Sequence, residues 1–300
     1  MIATSAGHTI RLDAPAKVNL YLEIVGRRDD GYHLLDSLVA FTETGDVLAA
    51  RASPTLGLAI DGPFAAELDA GSDNLVLRAA RLLADTAGAA PGAALTLTKN
   101  LPIASGIGGG SADAAAALRL LELIWAVTLD DGARHGIAIA LGADVPVCLF
   151  GRPALVSGIG ERIAPAPLLP AIGVVLANPR VAVPTPAVFA ARRGPFAPSR
   201  PLVMGGGGAA ALLDALADRR NDLTEAAITV APVIADVLRA LAASEGCRLA
   251  RLSGSGATCF ALYDDGPAAE HAAAALAKAF PAWWIAPTRF RDQAPAIAPL

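Results

Sequence analysis

The chain has 300 residues, of which 54% are hydrophobic and 17% charged, and its formal net charge is −4. This length predicts two domains of ordinary size, and the composition excludes a disordered chain and disfavours a nucleic-acid-binding surface. No charge-free apolar run reaches the roughly 18 residues that a membrane span needs. Three cysteines without CxxC spacing and a start without a secretory or transit pattern favour a cytoplasmic, bacterial-type protein.

The first half of the chain is predicted to mix strands and helices. Residues 18–25 alternate between apolar and polar, which indicates a half-buried strand, and a charged turn follows at 26–31. Further strands are predicted over 46–51, 56–60, 94–99, 145–150 and 154–157. Helices are predicted over 74–86, 114–127 and 134–141, the first and last closed by Gly88 and Gly142.

Clustered prolines after residue 160 mark a boundary, so domains are expected over residues 1–160 and 161–300. Residues 192–208 are expected to form a mobile loop, and 205–210 is interpreted as a linker although it fits G-x-G-x-x-A, because no strand precedes it. Strands are predicted over 172–177, 248–252, 258–263 and 283–286, and helices over 209–218, 222–230, 232–245 and 267–279. This order predicts an α+β sandwich with helices on one face of an antiparallel sheet.

The most informative stretch runs from Leu101 to Leu118, where a glycine-rich turn leads into a helix-forming alanine run. Its glycines let backbone N–H groups approach a ligand closely, and Ser111 and Asp113 are plausible helix-start residues. A helix N-terminus carries free N–H groups and about half a positive charge, so a polyphosphate is the predicted ligand. The stretch fits neither the Walker A nor the dinucleotide pattern. A plain turn that caps a core helix is the alternative.

Three further segments carry candidate chemistry, each with two interpretations. Lys17 opens the first strand and is either a solvated strand end or a functional cation. Asp144 lies between apolar residues and is either a backbone cap or a functional carboxylate. The glycine-rich turn 253–256 is either a simple hairpin or a loop that passes close to a ligand.

Taken together and in order, these segments resemble the GHMP small-molecule kinase superfamily over residues 11–290. The segments that carry the resemblance are APAKVNL at 14–20, DGYH at 30–33, PIASGIGGGS at 102–111, GADVP at 142–146, VPTP at 183–186, NDL at 221–223 and SGSG at 253–256. The resemblance implies an α+β fold of two domains. A ribosomal-S5-like N-terminal domain would bind nucleotide and carry the catalytic residues, and the C-terminal domain would be ferredoxin-like.

The implied reaction transfers the γ-phosphate of ATP, with Mg²⁺, to the 2-hydroxyl of a diphosphocytidyl-linked methylerythritol in the non-mevalonate route to isoprenoid precursors. Only small-molecule partners are implied: no nucleic acid, no membrane and no obligate protein partner. By the same resemblance Asp144 would accept the hydroxyl proton, and Lys17 would keep Asp144 ionised and stabilise the transferring group.

The resemblance also assigns binding residues. ATP would be bound by Pro102, Ile103, Ala104, Ser105, Gly106, Ile107, Gly108, Gly109, Gly110, Ser111 and Ala112. The acceptor would be bound by Asn19, Tyr32, His33, Thr185, Phe189, Gly254, Ser255 and Gly256, with Tyr32 and Phe189 stacking on the cytosine and His33 hydrogen-bonding its polar edge. Ser111 is a candidate Mg²⁺ ligand, whereas Ala112 stands where the family usually has a second serine, which puts a metal role there in doubt.

Two other functions remain as alternatives. One is a GHMP kinase with another acceptor, such as homoserine or mevalonate; the segment 30–33 and Asp144 argue against homoserine. The other is a catalytically silent nucleotide-binding protein, against which Lys17 and Asp144 argue, because binding alone needs neither.

Overall fold

The structure, a computed structural model, describes residues 8–71, 73–90, 92–205 and 207–300. The strands of the described chain are β1 (Ile10–Arg27), β2 (His33–Ala52), β3 (Gly57–Asp61), β4 (Ala93–Thr98), β5 (Ala154–Gly158), β6 (Arg162–Pro165), β7 (Gly173–Asn178), β8 (Leu249–Leu252), β9 (Cys259–Tyr263), β10 (Trp284–Arg291) and β11 (Ala298–Pro299). Its α-helices are α1 (Leu75–Ala87), α2 (Gly109–Ile124), α3 (Asp131–Leu141), α4 (Val145–Phe150), α5 (Thr185–Ala191), α6 (Ala209–Ala217), α7 (Thr224–Val230), α8 (Val233–Ala242) and α9 (Gly266–Ala279).

The strands form one hydrogen-bonded sheet in the order β11-β1-β2-β10-β7-β9-β8, with β4 and β5 also paired to β2. Strand β10 joins the two halves of the chain: Phe290 and Arg291 pair with β2, and residues 284–289 pair with β7. The four strands β10-β7-β9-β8 are antiparallel throughout. This is the order of a ferredoxin-like unit, so the expected α+β fold is confirmed.

Three apolar clusters fill the interior. The first lies between α1–α4 and the strands β1, β2 and β4. The second lies between α7–α9 and one face of β7 and β9, and the third lies on the opposite face of those two strands, against Ala16, Val18 and Leu20 of β1. Strand β1 is therefore buried against the second half of the chain, which holds its catalytic candidate Lys17 at the centre of the molecule.

Residues 145–150 were expected to be a strand, and this prediction is wrong, because they form helix α4. A short apolar run does not distinguish a buried strand from a buried helix by its pattern. Pro146 lies in the first turn, where a fixed φ and a missing N–H suit a helix, and Gly151 ends the helix in the left-handed conformation.

Helix α2 begins at Gly109, five residues before the predicted start, and its N-cap is Gly108 rather than Ser111 or Asp113. Helix α5 was not predicted, because Pro184 and Pro186 looked like a crossover; both lie at its N-terminal end, where proline is tolerated. Gly206 of the predicted linker 205–210 lies outside the described residues. No helix in the described part of the chain has both the length and the apolar character that crossing a bilayer requires.

The cap of helix α9 gives a test of the fold that leaves the cavity untouched. The Asp265 side chain accepts a hydrogen bond from the backbone N–H of Ala268 at 2.9 Å. Asp265→Ala should lower the free energy of unfolding by about 0.5–2 kcal/mol, which chemical denaturation measures. Asp264→Ala is the control, because it removes only an exposed ion pair with Arg248 and should cost less. Equal losses in the two variants would contradict the cap.

Candidate active site

One cavity of about 1030 Å³ brings together most of the predicted site residues from both halves of the chain. Lys17 and Asp144 lie on its wall with the glycine-rich turn, and Thr185 and Phe189 face them from the second half. Three predicted residues do not line it: Ile107 and Ala112, which are buried in the core, and Gly256. The cavity therefore brings together the glycine-rich turn, the predicted phosphate loop, with a group of aromatic side chains and the Lys17–Asp144 pair.

The phosphate loop, residues 101–111, owes its shape to two glycines with positive φ. Gly108 has φ +65° and caps α2, so the free N–H groups of the first helical turn open onto the cavity. A Cβ on Gly108 would lie 2.7 Å from Cγ of Lys17, and a Cβ on Gly106 would lie 2.6 Å from the carbonyl oxygen of Gly256. A larger residue at either position would displace the loop, so glycine is required for packing as well as for φ.

The turn 253–256 is not a simple hairpin, because its backbone touches the phosphate loop. The Ser253 hydroxyl donates to the carbonyl oxygen of Gly106 at 3.1 Å, and the N–H of Thr258 donates to the carbonyl oxygen of Ser105 at 3.0 Å. The amide of Asn221 donates to the carbonyl oxygens of Leu252 and Gly254 from the other side. This turn therefore fixes the position of the phosphate loop relative to the second half of the chain.

Lys17 is buried rather than solvated, with 4% of its surface exposed. Its Nζ lies 3.1 Å from Oδ2 of Asp144 and 2.9 Å from Oδ1 of Asn19, and its backbone N–H donates to the carbonyl oxygen of Ile107 at 2.9 Å. The side chain of Asp144 is 45% exposed and accepts no capping hydrogen bond from the described residues of α4. Asp144 therefore does not cap α4 through its side chain, and its functional role stays a prediction.

The aromatic end of the cavity is formed by Tyr32, His33 and Phe189. The rings of His33 and Phe189 are stacked, with centroids 5.3 Å apart, and Tyr32 is 61% exposed. Burial lowers the pKa of His33, and the positive charges of Arg27 and Arg192 lower it further. A neutral imidazole can both donate and accept a hydrogen bond, which suits the polar edge of a base. Thr185 Oγ1 and Ser255 Oγ lie 2.8 Å apart beside this end.

Sequence reasoning missed an apolar part of the cavity on the far side of the phosphate loop. Leu68, Leu75 and Val76 line it together with the α1 cap Asn74 and with Ile103, which the resemblance had already assigned to ATP. The pattern around residue 74 indicated only a helix start, so nothing in it distinguished these side chains from ordinary core residues.

Sequence reasoning also missed a buried ionic cluster beneath the loop. Lys99 Nζ binds Oδ2 of Asp46 and, at 2.8 Å, Oδ2 of Asp113, and each of the three residues is at most 2% exposed. Asp46 Oδ1 also accepts hydrogen bonds from the backbone N–H groups of Asn100 and Leu101, at 2.6 and 2.9 Å. Burial away from water raises the pKa of Asp113. The cluster ties β2 and α2 to the start of the phosphate loop.

Comparisons with known proteins agree with this geometry. Residues 74–152 match the family described as "GHMP kinases N terminal domain", and residues 206–282 match "GHMP kinases C terminal". The chain is 54% identical to the 4-diphosphocytidyl-2-C-methyl-D-erythritol kinase of Paramagnetospirillum magneticum, over 93% of this chain and 97% of that one. It is 52% identical to the kinase of the same name from Rhodospirillum rubrum, over 92% and 91% of the two chains.

Solved structures extend the comparison. A crystal structure of 4-(cytidine 5'-diphospho)-2C-methyl-D-erythritol kinase has 36% identity and a TM-score of 0.77, covering 93% of this chain and 99% of that one. A homoserine kinase from Cytophaga hutchinsonii has 19% identity and a TM-score of 0.73, covering 99% of this chain and 100% of the other. The second likeness concerns the fold alone.

The contact at Gly106 can be tested directly. Gly106→Ala forces a side chain into the left-handed region and against the Gly256 carbonyl oxygen, a strain of about 1–3 kcal/mol. We expect KM for ATP to rise by roughly 5- to 150-fold, the range to which this strain corresponds. Gly57→Ala is the control, because a Cβ there meets nothing within 4 Å and should leave KM unchanged. A normal KM in Gly106→Ala would contradict the role of this contact.

Proposed function

The chain belongs to the 4-diphosphocytidyl-2-C-methyl-D-erythritol kinases of the GHMP kinase family, and we propose that its cavity binds ATP and this acceptor side by side. It is an ATP-dependent small-molecule kinase, and the reaction is transfer of the γ-phosphate to the acceptor's 2-hydroxyl in the non-mevalonate isoprenoid pathway. The observation that carries the site assignment is the Lys17–Asp144 pair, 3.1 Å apart, where the phosphate loop meets the aromatic end of the cavity.

The two ends of the cavity differ in the ligand groups that they suit. The apolar part beside Leu75 suits the adenine of ATP, and the N-terminus of α2 suits its phosphates. Tyr32 and Phe189 offer faces on which a cytosine can stack, and His33 offers a hydrogen bond to the base's polar edge. Bound in this way, the two nucleotides point their phosphate ends toward Lys17.

The transfer step then needs a base and a counter-charge. Asp144 accepts the proton of the attacking hydroxyl while the oxygen–phosphorus bond forms and the bond between the γ-phosphorus and the bridging oxygen of ADP breaks. The Lys17 ammonium is buried 3.1 Å from Asp144 and holds its carboxylate in place for the step. Its positive charge also offsets the negative charge that the transferring group brings to the site.

Mg²⁺ is part of this proposal. Among the described residues no group of three or more His, Cys, Asp or Glu side chains could hold a metal ion. Mg²⁺ usually takes one or two protein oxygens and completes its shell with phosphate and water, so a sparse donor set fits it. The Ser111 hydroxyl in the first turn of α2 lines the cavity and would hold the ion; Ala112 is buried and has no oxygen to offer. When bound, Mg²⁺ supplies charge neutralisation between phosphate oxygens.

The proposal also covers organisation and location. Domains over residues 1–160 and 161–300 stay part of the proposal. The first contributes the phosphate loop and the catalytic pair to the cavity, and the second contributes Thr185, Phe189, Gly254 and Ser255. Only small molecules are proposed as partners, and the proposed location is the cytoplasm.

The acceptor is tested by a coupled ADP-release assay with Mg²⁺-ATP. Diphosphocytidyl methylerythritol, homoserine and mevalonate are offered side by side at equal concentration. We expect turnover with the cytidine acceptor alone, because homoserine and mevalonate carry no base that could bind at the aromatic end of the cavity. Turnover with homoserine or mevalonate would place the chain among the kinases for that acceptor. ATP binding without any turnover would indicate a silent nucleotide-binding protein.

Replacement of the proposed base should stop the chemistry and leave nucleotide binding intact. Asp144→Asn keeps the shape of the side chain and removes its basicity, so kcat should fall about 10²–10⁴-fold while KM for ATP changes little. Steady-state kinetics measure both values. Asp131→Asn, on the exposed start of α3, is the matched control and should behave as the wild type. Near-normal turnover in Asp144→Asn would refute the assignment.

Base recognition by His33 should affect the two substrates differently. His33→Ala removes both the stacked ring and its hydrogen bond, so KM for the cytidine acceptor should rise about tenfold, while KM for ATP stays within twofold. His135→Ala, which changes an exposed histidine of α3, is the control. Equal effects on both KM values would show that His33 is a turn residue without a role in base recognition.

A further inference from the structure

A chain of buried hydrogen bonds runs from Lys17 across strands β1 and β2. Lys17 Nζ donates to Oδ1 of Asn19 at 2.9 Å, and Nδ2 of Asn19 donates to Oγ of Ser37 at 2.9 Å. The Ser37 hydroxyl in turn donates to the carbonyl oxygen of Tyr21 at 2.6 Å. Asn19 is 4% exposed and Ser37 1%, so water does not compete with these bonds.

The direction of every bond in this chain is set at Ser37. A serine hydroxyl has one hydrogen, and a backbone carbonyl can only accept, so that hydrogen goes to Tyr21. The Ser37 oxygen must therefore accept from Asn19, and only the NH₂ end of the amide can donate. This leaves Oδ1 of Asn19 facing the Lys17 ammonium. The opposite amide orientation would place two donors against each other at Lys17 and two acceptors against each other at Ser37.

The orientation of Asn19 decides where the Lys17 ammonium points. The ammonium donates one N–H to Asn19 and lies 3.1 Å from Oδ2 of Asp144, on the wall of the cavity. The backbone N–H of Asn19 also donates to Oγ of Ser253 at 3.3 Å, and Ser253 bonds to Gly106 of the phosphate loop. Asn19 therefore contacts Lys17 directly and the phosphate loop through Ser253.

We propose that Ser37 is a positioning residue for phosphoryl transfer: it fixes the Asn19 amide so that Lys17 holds Asp144 and the transferring group in one geometry. This inference rests on the proposed catalytic role of Lys17. Ser37 lies on the cavity wall, but its hydroxyl already accepts from Asn19 and donates to Tyr21, so it takes no part in proton transfer. It acts through Asn19, so its replacement should lower kcat and leave nucleotide binding unchanged.

The test compares Ser37→Ala, Ser37→Thr and the double variant Ser37→Ala/Asn19→Ala with Asn19→Ala alone. Ser37→Ala should lower kcat about tenfold, as expected for the loss of one buried hydrogen bond, with KM for ATP within twofold. Ser37→Thr keeps the hydroxyl and should recover most of that loss. Because Ser37 acts through Asn19, the double variant should be no slower than Asn19→Ala. Ser244→Ala, which removes another serine hydroxyl bonded to a backbone carbonyl, should leave kcat unchanged.

Three results would overturn the proposal: kcat within twofold of wild type in Ser37→Ala, a Ser37→Thr variant as slow as Ser37→Ala, or a full further loss in the double variant. Should Ser37→Ala not fold, Ser37→Cys, whose thiol is a weaker hydrogen-bonding group, must show the same loss in kcat at a normal unfolding midpoint. Wild-type turnover in the same assay tests the proposed function separately. If another acceptor supports that turnover, the variants are compared with that acceptor, because positioning of Lys17 does not depend on the acceptor's base.

Discussion

The site depends on the close approach of two glycine-rich backbones, the phosphate loop at Gly106 and the turn 253–256. Neither backbone tolerates a side chain at the point of contact, where a Cβ on Gly106 would lie 2.6 Å from the Gly256 carbonyl oxygen and one on Gly254 would lie 2.8 Å from the Gly106 carbonyl oxygen. This contact joins residues about 150 positions apart in the chain. It places the N-terminus of α2, which attracts phosphate, beside the strand that carries Lys17.

Charge around this contact forms two groups, the Lys17–Asp144 pair and the Lys99 cluster, and residues of both line the cavity. Lys17 is buried and pairs with the half-exposed carboxylate of Asp144, the proposed base. Lys99 binds the carboxylates of Asp46 and Asp113. The second oxygen of Asp46 accepts hydrogen bonds from the backbone N–H groups of Asn100 and Leu101. The Lys17–Asp144 pair is the proposed site of proton transfer, whereas the Lys99 cluster holds the phosphate loop in place. A loop held in place keeps its N–H groups preorganised to stabilise a phosphoryl group.

The sequence predicted part of this arrangement on physical grounds. Clustered glycines before an alanine-rich helix indicated a phosphate loop, because such a pattern has few other uses. The residues alone left Lys17, Asp144 and the 253–256 turn undecided, and only the resemblance of the ordered segments to a kinase family assigned them. The structure then excluded a solvated Lys17 and a side-chain cap by Asp144 among the described residues, and their catalytic roles stay a proposal.

Other features could not be predicted because they depend on contacts between distant residues. Asp46, Lys99 and Asp113 are separated by 53 and 14 positions, and each looks like an ordinary charged residue in its own segment. Helices α4 and α5 were missed because proline in a first helical turn looks the same in sequence as proline in a loop. Ser37 carries no motif; its role arises from the register of β1 and β2, which places it two hydrogen bonds from Lys17.

The most direct test of this account is a crystal structure with a non-hydrolysable ATP analogue and diphosphocytidyl methylerythritol bound together. The account predicts the γ-phosphate at the N-terminus of α2 and the acceptor 2-hydroxyl within hydrogen-bond distance, about 3 Å, of Asp144, with the cytosine between Tyr32 and Phe189. An acceptor bound with its 2-hydroxyl away from Asp144, or a nucleotide bound outside the phosphate loop, would contradict it.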